Sequence, residues 1–526
     1  MAETAPAMRT LSGVAAAAVA VGLTQLVAAL FGRGADALNA VGSAVIDATP
    51  GAVKEWAIQT FGTADKMFLS VAVLAVMVII AAAAGRLESH RRPVGSVVFV
   101  AAGAAGCAAI LSRAGARPVD IIPTVIGTLC GVAALRLLVA RGKHRPTGSA
   151  AMSACAKSGG HGPASQPDTA TDMGRRQWLM AFGLLCAGLL AGVVGGILTR
   201  RLHSVTGERR TFAVPPVNRP APPVPPDIAP KGVALPSFIT ANDKFYRIDT
   251  ALLVPQVSRN DWRLKIHGMV DREVTYTFDD LQPFEVIEKV VTLTCVSNPV
   301  GGDLISNAKW TGYRVRDLLA RAGVHRDADM VLSTSVDGFT AGTPVEALTD
   351  GRDALVAITM NGEPLPVDHG YPARLVVPGL YGYVSATKWV TDLELTRFDR
   401  AQAYWTKLGW SARGPIKTES RIDVPRSDQQ IAAGPVTFGG VAWAQNRGVR
   451  AVEVRVDDGP WRPADLGASY SNDTWRLWSY RWTATPGSHS ITVRATDNTG
   501  AVQTGDEAGV MPDGATGWHT VAFTAA

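Results

Sequence analysis

The sequence predicts a multidomain chain in which an α-helical transmembrane bundle comes first, an α+β domain second and an all-β sandwich last. Three observations carry this. Five apolar runs crowd the N-terminal part, β-rich segments mixed with a helical one extend from Ile239 to about Arg426, and strand-and-turn segments recur from about Gly434 to the end. With 526 residues, 47% of them hydrophobic, the chain is too long for one domain and too apolar for a purely soluble one.

The apolar runs are Leu11 to Phe31, Phe68 to Gly85, Val94 to Ser112, Val119 to Ala140 and Trp178 to Thr199. Each is long enough to cross a hydrocarbon core of roughly 30 Å as a helix. Leu11 to Phe31 is the most Ala-rich and the weakest of the five as a span. Arg86, Arg91 and Arg92 lie between the second and third runs, and Arg141, Lys143, Arg145, Arg175 and Arg176 between the fourth and fifth. The positive-inside bias makes both connections cytoplasmic. The N-terminus is then inside, Gly32 to Lys66 outside, and everything after Thr199 on the extracytoplasmic side of the cytoplasmic membrane. Arg200, Arg201, Arg209 and Arg210 place charge against that last step.

Cys107, Cys130 and Cys186 lie in apolar runs and Cys155 in a Ser/Gly/Ala-rich connection, so Cys295 is alone after Thr199 and has no disulfide partner within its own domain. The net charge of +6 comes partly from the arginines that flank the apolar runs. It is no nucleic-acid footprint, and no Lys/Arg run with interleaved aromatics points to one.

The stretch "VPPVNRPAPPVPPDIAP", Val214 to Pro230, reads as an extended, semi-rigid spacer. The expected organisation is therefore a membrane anchor over 1–205, a Pro-rich linker over 206–238, an α+β domain over 239–428 and a β-sandwich over 429–526. In the third part "WRLKIHGMV", "KVVTLTCV", "ARLVVPG" and "WVTDLELT" read as strands and Val315 to Ala322 as a helix. In the fourth, "VTFGGVAWA", "AVEVRVDDG", "WRLWSYRWTA", "HSITVRATDNTG" and "WHTVAFTA" read as strands of an immunoglobulin-like sandwich without paired cysteines. Trp443, Trp461, Trp475, Trp478, Trp482 and Trp518 are spaced along it, more as a core than as a ligand site.

"GRRQWLMAFGLLCAGLLAG", Gly174 to Gly192, resembles a twin-arginine export signal placed ahead of the last apolar run; ordinary membrane-flanking charge accounts for the dipeptide equally well. The export reading implies a domain that leaves the cytoplasm folded around a cofactor. Cys295, at the mouth of a strand and before the turn "SNPVGG", fits a buried apolar thiol, a nucleophile or a metal ligand.

The stretch "TLTCVSNPVGGDLISNAKWTGYRVRDLLARAG" resembles the cysteine-bearing segment of the sulfite oxidase family of molybdenum enzymes, with Cys295, Asn298, Trp310 and Gly312 at the family's positions and a helix after the Trp-x-Gly. "NDKFYRIDT" is similar to the family's entry segment, "MNGEPLPVDHGYPARLVVPGLYGYVSATKWVTDLEL" to its second half, and "GGVAWAQNRGVRAVEVRVDDGPW" to its C-terminal dimerisation sandwich. The resemblance covers nearly all of Ile239 to Ala526.

It implies a molybdenum–molybdopterin cofactor, with Cys295 as the thiolate ligand of the metal, a role suited to a soft, deprotonated sulfur. Asn242, Phe245, Tyr246, Asn298, His369, Arg374, Ser385 and Lys388 would hold the cofactor. Arg374 can grip a phosphate bidentately and Lys388 acts as a point charge. Arg247 stands as a substrate-side candidate. The partners implied are a small-molecule substrate, a separate electron carrier, membrane lipid around the anchor, and a second copy through the C-terminal domain. No haem or flavin is expected: no cytochrome-type haem module or flavin-binding segment is evident, and the apolar runs contain no histidine to ligate haem, since His90 and His144 lie in connections and His203 beyond the last run.

The substrate side departs from the family. "RIDT" replaces its arginine and histidine, Asp249 would repel an anion, and Phe339 stands where the family carries an active-site tyrosine. The expected activity is oxygen-atom transfer on a small, sulfur-containing molecule, with an uncharged oxo donor such as a sulfoxide fitting as well as sulfite. The competing expectation is a non-catalytic exported receptor or scaffold on a degenerate enzyme fold.

Overall fold

In the computed structural model, residues 4–50, 53, 56, 60, 61, 65–89, 91–113, 116–141 and 169–526 are described. They form two compact units, Met1–Ser204 and Val205–Ala526. His90, Lys143, His144, Arg145 and Cys155 fall outside the described residues.

The first unit is helical: α1 (Thr4–Phe31), α2 (Ala37–Ala48), α3 (Asp65–Leu87), α4 (Val94–Leu111), α5 (Ile122–Arg141) and α6 (Thr169–Leu202). Among the described residues, five stretches are long and apolar enough to cross a membrane: Pro6–Phe31, Met67–Leu87, Val94–Leu111, Pro118–Ala140 and Arg175–Thr211. They coincide with the five predicted runs. The Ala-rich α1, weakest as a sequence signal, is the inner helix, with Ala15, Ala16 and Ala29 fully buried. Small side chains there let neighbouring helices approach closely. The predicted Gly32–Lys66 connection contains α2, which is too short to span; the Asp36 carboxylate caps it, accepting from Asn39 N–H and from the Gln25 amide.

The second unit opens with a single-turn helix, α7 (Thr206–Thr211), and then the proline-rich stretch. That stretch lies along the fold instead of hanging clear of it. Glu288 N–H donates to Arg219 O at 2.8 Å, the Tyr470 hydroxyl to Pro222 O at 2.7 Å and Ala468 N–H to Asp227 O at 2.9 Å. Proline cannot donate, but an extended proline-rich backbone presents its carbonyls to neighbouring edges.

The α+β part contains two sheets. One, ordered β2–β1–β10–β5–β6, joins β1 (Arg263–Gly268), β2 (Val274–Thr277), β5 (Met330–Ser335), β6 (Thr340–Pro344) and β10 (Val390–Thr396), with β1 and β10 parallel. The other is antiparallel and runs β3 (Val286–Thr294), β4 (Ile305–Arg314), β7 (Leu355–Met360), β8 (Glu363–Pro364), with β9 (Arg374–Val376) on β7. Helix α8 spans Val315–Ala322 as predicted, with Gly323 in the left-handed region as its stop. Trp310 and Gly312 belong to β4, so the helix begins only after that strand ends. A second short helix, α9, covers Val345–Thr349.

The C-terminal part is a sandwich of two sheets. The first contains β11 (Glu419–Val424), β13 (Gly434–Trp443), β17 (Arg476–Ala484) and β16 (Asp465–Leu466). The second contains β12 (Gln429–Ile431), β19 (His519–Ala525), β18 (Gly487–Asp497), β14 (Val449–Val456) and β15 (Arg462–Pro463). Phe438, Trp478, Ile491, Val493 and Phe523 fill the space between them. Of the six tryptophans, Trp443, Trp475 and Trp478 are buried, whereas Trp461 and Trp518 meet edge to face at 5.0 Å on the outer side.

Candidate functional site

Cys295 follows the last residue of β3. The β3–β4 pairing ends at Thr294 and Ile305, and Cys295 N–H donates to Leu304 O at 3.0 Å, so the cysteine sits at the root of a long hairpin turn. Asn298, buried, closes that turn by accepting the Leu304 N–H at 2.8 Å. Gly301 has φ +76° and a Cβ there would fall 2.3 Å from the His519 ring. Only glycine fits both demands.

The turn is held from the C-terminal sandwich. Arg421 donates to Gly302 O at 2.8 Å while paired with Asp423, and Gln445 donates to Thr294 Oγ1 at 3.0 Å and Thr292 O at 3.2 Å. His519 Nδ1 accepts Ile422 N–H, which leaves the ring proton on Nε2; burial first, and Arg421 second, lower its pKa to about 4. None of these three residues was expected at the site, because they lie more than a hundred positions from Cys295 in the chain.

Around the cysteine stand residues from the entry segment and from the loop between β8 and β10. The Tyr246 hydroxyl is buried and close enough to the Cys295 thiol and the Arg374 guanidinium for both to act on it; burial and Cys295 push its pKa upward, Arg374 opposes. It stays protonated and can donate. Phe245 stacks on Tyr246 at 5.4 Å and meets Trp310 and His369 edge to face at 5.6 and 5.5 Å. Arg374 is buried over the Trp310 ring, 5.1 Å from its centroid, and its hydrogen bonds go to the carbonyls of Leu375, His369 and Ala386, each at 3.3 Å. Among the described residues it has no carboxylate partner. Burial pushes its pKa down to about 10, against Tyr246.

His369 is buried beside it, with a pKa lowered to about 4 by burial and then by Arg374, so its ring is neutral near pH 7. Lys388 Nζ donates to Asp249 Oδ2 at 2.8 Å and to Asp368 O at 3.0 Å; burial lowers its pKa to about 8 although Asp249 holds it up. Arg247 Nε reaches the same Asp249 oxygen at 2.9 Å. Asp249, expected from sequence to repel an anion, is a buried bridge between two cations. Gly370, at φ +112°, lets the stems of Arg374 and Lys388 close around it, since a Cβ would lie 3.0 and 3.2 Å from theirs.

The structure thus gathers Cys295, Phe245, Tyr246, Arg247, His369, Arg374 and Lys388 into one cluster. Asn242, Asn298 and Ser385 brace it. The Asn242 side-chain oxygen accepts from the Asn361 amide at 2.8 Å, and the fully buried Ser385 hydroxyl donates to Tyr381 O at 2.9 Å. Phe339 lies at the β5–β6 turn against Tyr404. Sequence reasoning passed over Asp249 as a tether, Gly370 as a spacer and Trp310 as the face under Arg374.

A molybdopterin cofactor fits this donor set. The site offers one thiol, that of Cys295, and among the described residues no group of three His, Cys, Asp or Glu side chains could hold a metal unaided. That matches a metal whose other ligands arrive with the cofactor. A buried guanidinium bonded only to carbonyls matches an anionic group, because buried charge needs a counter-charge.

Residues 251–405 match the family described as oxidoreductase molybdopterin binding domain, and residues 419–493 the bacterial Ig domain. Mitochondrial sulfite oxidase of Mus musculus is 28% identical over 305 residues, covering 49% of this chain and 54% of that protein. The chain therefore spans about half the length of the curated sulfite oxidases it matches. The uncharacterized oxidoreductase YuiH of Bacillus subtilis (strain 168) is 32% identical over 153 residues, which is 29% of this chain and 74% of that protein. The sulfane dehydrogenase SoxCD from Paracoccus pantotrophus aligns at 25% identity and a TM-score of 0.46, over 53% of this chain and 76% of that chain. With a cysteine-bearing hairpin facing a carboxylate-free arginine, and an immunoglobulin-like sandwich behind it, the chain belongs to the sulfite oxidase family of molybdopterin-dependent oxidoreductases.

Proposed function

We propose that the chain is a membrane-anchored molybdenum oxidoreductase that moves an oxygen atom to or from a small, sulfur-containing substrate, with its catalytic unit outside the cytoplasmic membrane. The observation that carries this is the Cys295 thiol at the end of β3, grouped with the buried Arg374 guanidinium and the neutral His369 ring. When bound, the molybdenum–molybdopterin cofactor supplies two-electron oxygen-atom transfer. Cys295 provides the protein's thiolate, Arg374 answers the cofactor's anionic group, and Tyr246 and His369 offer neutral hydrogen bonds. Phe245 and Trp310 exclude water on one side.

On the substrate side, Arg247 and Lys388 both spend their charge on Asp249. This favours an uncharged oxo donor, a sulfoxide among them, over a sulfite-type oxyanion. Electrons pass to or from a separate carrier, lipid surrounds the helical anchor, and the sandwich pairs two copies. Arg175 and Arg176 at the start of the last span act as the export signal.

Purified full-length protein should contain about one molybdenum and one pterin per chain and turn over a sulfoxide with an artificial electron donor. Folded protein without either component would be a receptor or scaffold instead.

A further inference from the structure

We propose that α7, the single turn immediately after the last apolar helix, is a positioning strap for the loop that carries His369 and Arg374, with Glu208 as its central positioning residue. The inference rests on the cofactor reading above.

Val205 N–H donates to the Gln256 side chain at 3.2 Å, and its own side chain is buried in one cluster with Phe245, Trp310, Leu365 and Tyr371. The core around the cofactor residues therefore includes the first residue after the anchor. The Glu208 carboxylate accepts three bonds: from Ser258 Oγ at 2.6 Å, Tyr371 OH at 2.7 Å and Arg259 N–H at 2.8 Å. Tyr371 is buried and follows Gly370, the spacer between the Arg374 and Lys388 stems. Its hydroxyl is the outer fixture of a turn whose inner side presents His369 and Arg374.

Arg209 holds the other end of the same loop. Its guanidinium donates to Leu365 O and Pro364 O, both at 2.8 Å, and pairs with Glu363 at 3.4 Å. An acid and a base side by side on one turn thus match a donor cluster at 371 and bare carbonyls at 364–365. A charged acceptor with three donors is a stronger and more directional restraint than apolar burial.

The test uses the full-length, cofactor-loaded protein. Glu208→Ala is expected to speed pterin loss on dilution about tenfold, the scale of one hydrogen bond to a charged group. It should also alter the Mo(V) EPR spectrum per molybdenum. Glu208→Gln keeps an oxygen for Arg259 N–H and Tyr371 OH and should restore both readouts. Tyr371→Phe, which removes one bond without opening a cavity, should move them in the same direction if Glu208→Ala does not fold. Pterin loss and an EPR spectrum identical to those of the unaltered chain, or equal effects of Ala and Gln, would overturn the strap. An unaltered chain that holds no pterin would instead overturn the cofactor reading.

Discussion

Replacing Asp249 by Asn probes how the site chooses its substrate. The Asp249 side chain is 4% exposed and accepts from Lys388 at 2.8 Å and from Arg247 at 2.9 Å, while Arg247 remains 37% exposed. Asn keeps an acceptor oxygen but removes the charge. Two unit charges about 4 Å apart interact by about 4 kcal/mol at an effective dielectric of 20. Exposure of Arg247 screens most of that, leaving about 1–2 kcal/mol for an incoming anion. The KM for sulfite should fall about tenfold relative to that for a neutral sulfoxide, since 1.4 kcal/mol is one factor of ten. The gain should be larger at pH 6 than at pH 8, because Lys388, whose pKa of about 8 is lowered by burial and held up by Asp249, loses its proton more readily in the variant. Steady-state kinetics of both substrates, normalised to molybdenum content, read this out. An unchanged ratio with intact molybdenum would refute a role for Asp249 in screening the cations.

Gly301→Ala meets both the positive φ and the His519 ring, so the Val205–Ala526 unit should lose about 1–3 kcal/mol in denaturant unfolding; unaltered stability would contradict the tight docking of the turn on the sandwich. His369 has a folded pKa of about 4, below its ordinary value of 6.5. The unfolded chain binds the extra proton between these values, so stability is lost as pH falls through that window, by about 3 kcal/mol at most. His369→Gln removes this pH dependence, so the unaltered chain should lose up to about 3 kcal/mol relative to the variant as pH falls from 6.5 to about 4; a difference independent of pH would count against a neutral buried ring. Arg175→Lys with Arg176→Lys should retain the soluble unit on the cytoplasmic side in protease-protection assays, and unchanged surface accessibility would discard the export reading.

Local pattern made much of the architecture legible. Apolar runs located each of the five helices that, among the described residues, are long and apolar enough to cross a membrane, and α8 ended at Gly323 because a helix stop is written in neighbouring residues. The short α2 was missed because twelve residues within a connection carry no spanning signal. At the site, the resemblance named Cys295, His369, Arg374 and Lys388, but the pairing of Asp249 with Lys388 and Arg247 was not legible. Its partner Lys388 lies 139 positions away, and an ion pair set by tertiary folding leaves no local trace. The same holds for Arg421, Gln445 and His519, which reach the cysteine turn from a separate sandwich. The proline-rich stretch reads as a spacer from composition, whereas its carbonyls are satisfied by residues far along the chain.

The central claim is that Cys295 supplies a sulfur ligand to a pterin-held molybdenum. X-ray absorption at the molybdenum edge of the full-length protein tests it most directly, with the Cys295→Ser variant alongside. The account predicts a sulfur shell from the two dithiolene sulfurs and Cys295, reduced by one sulfur in the variant. An identical sulfur count in both proteins, with molybdenum and pterin present, would contradict it.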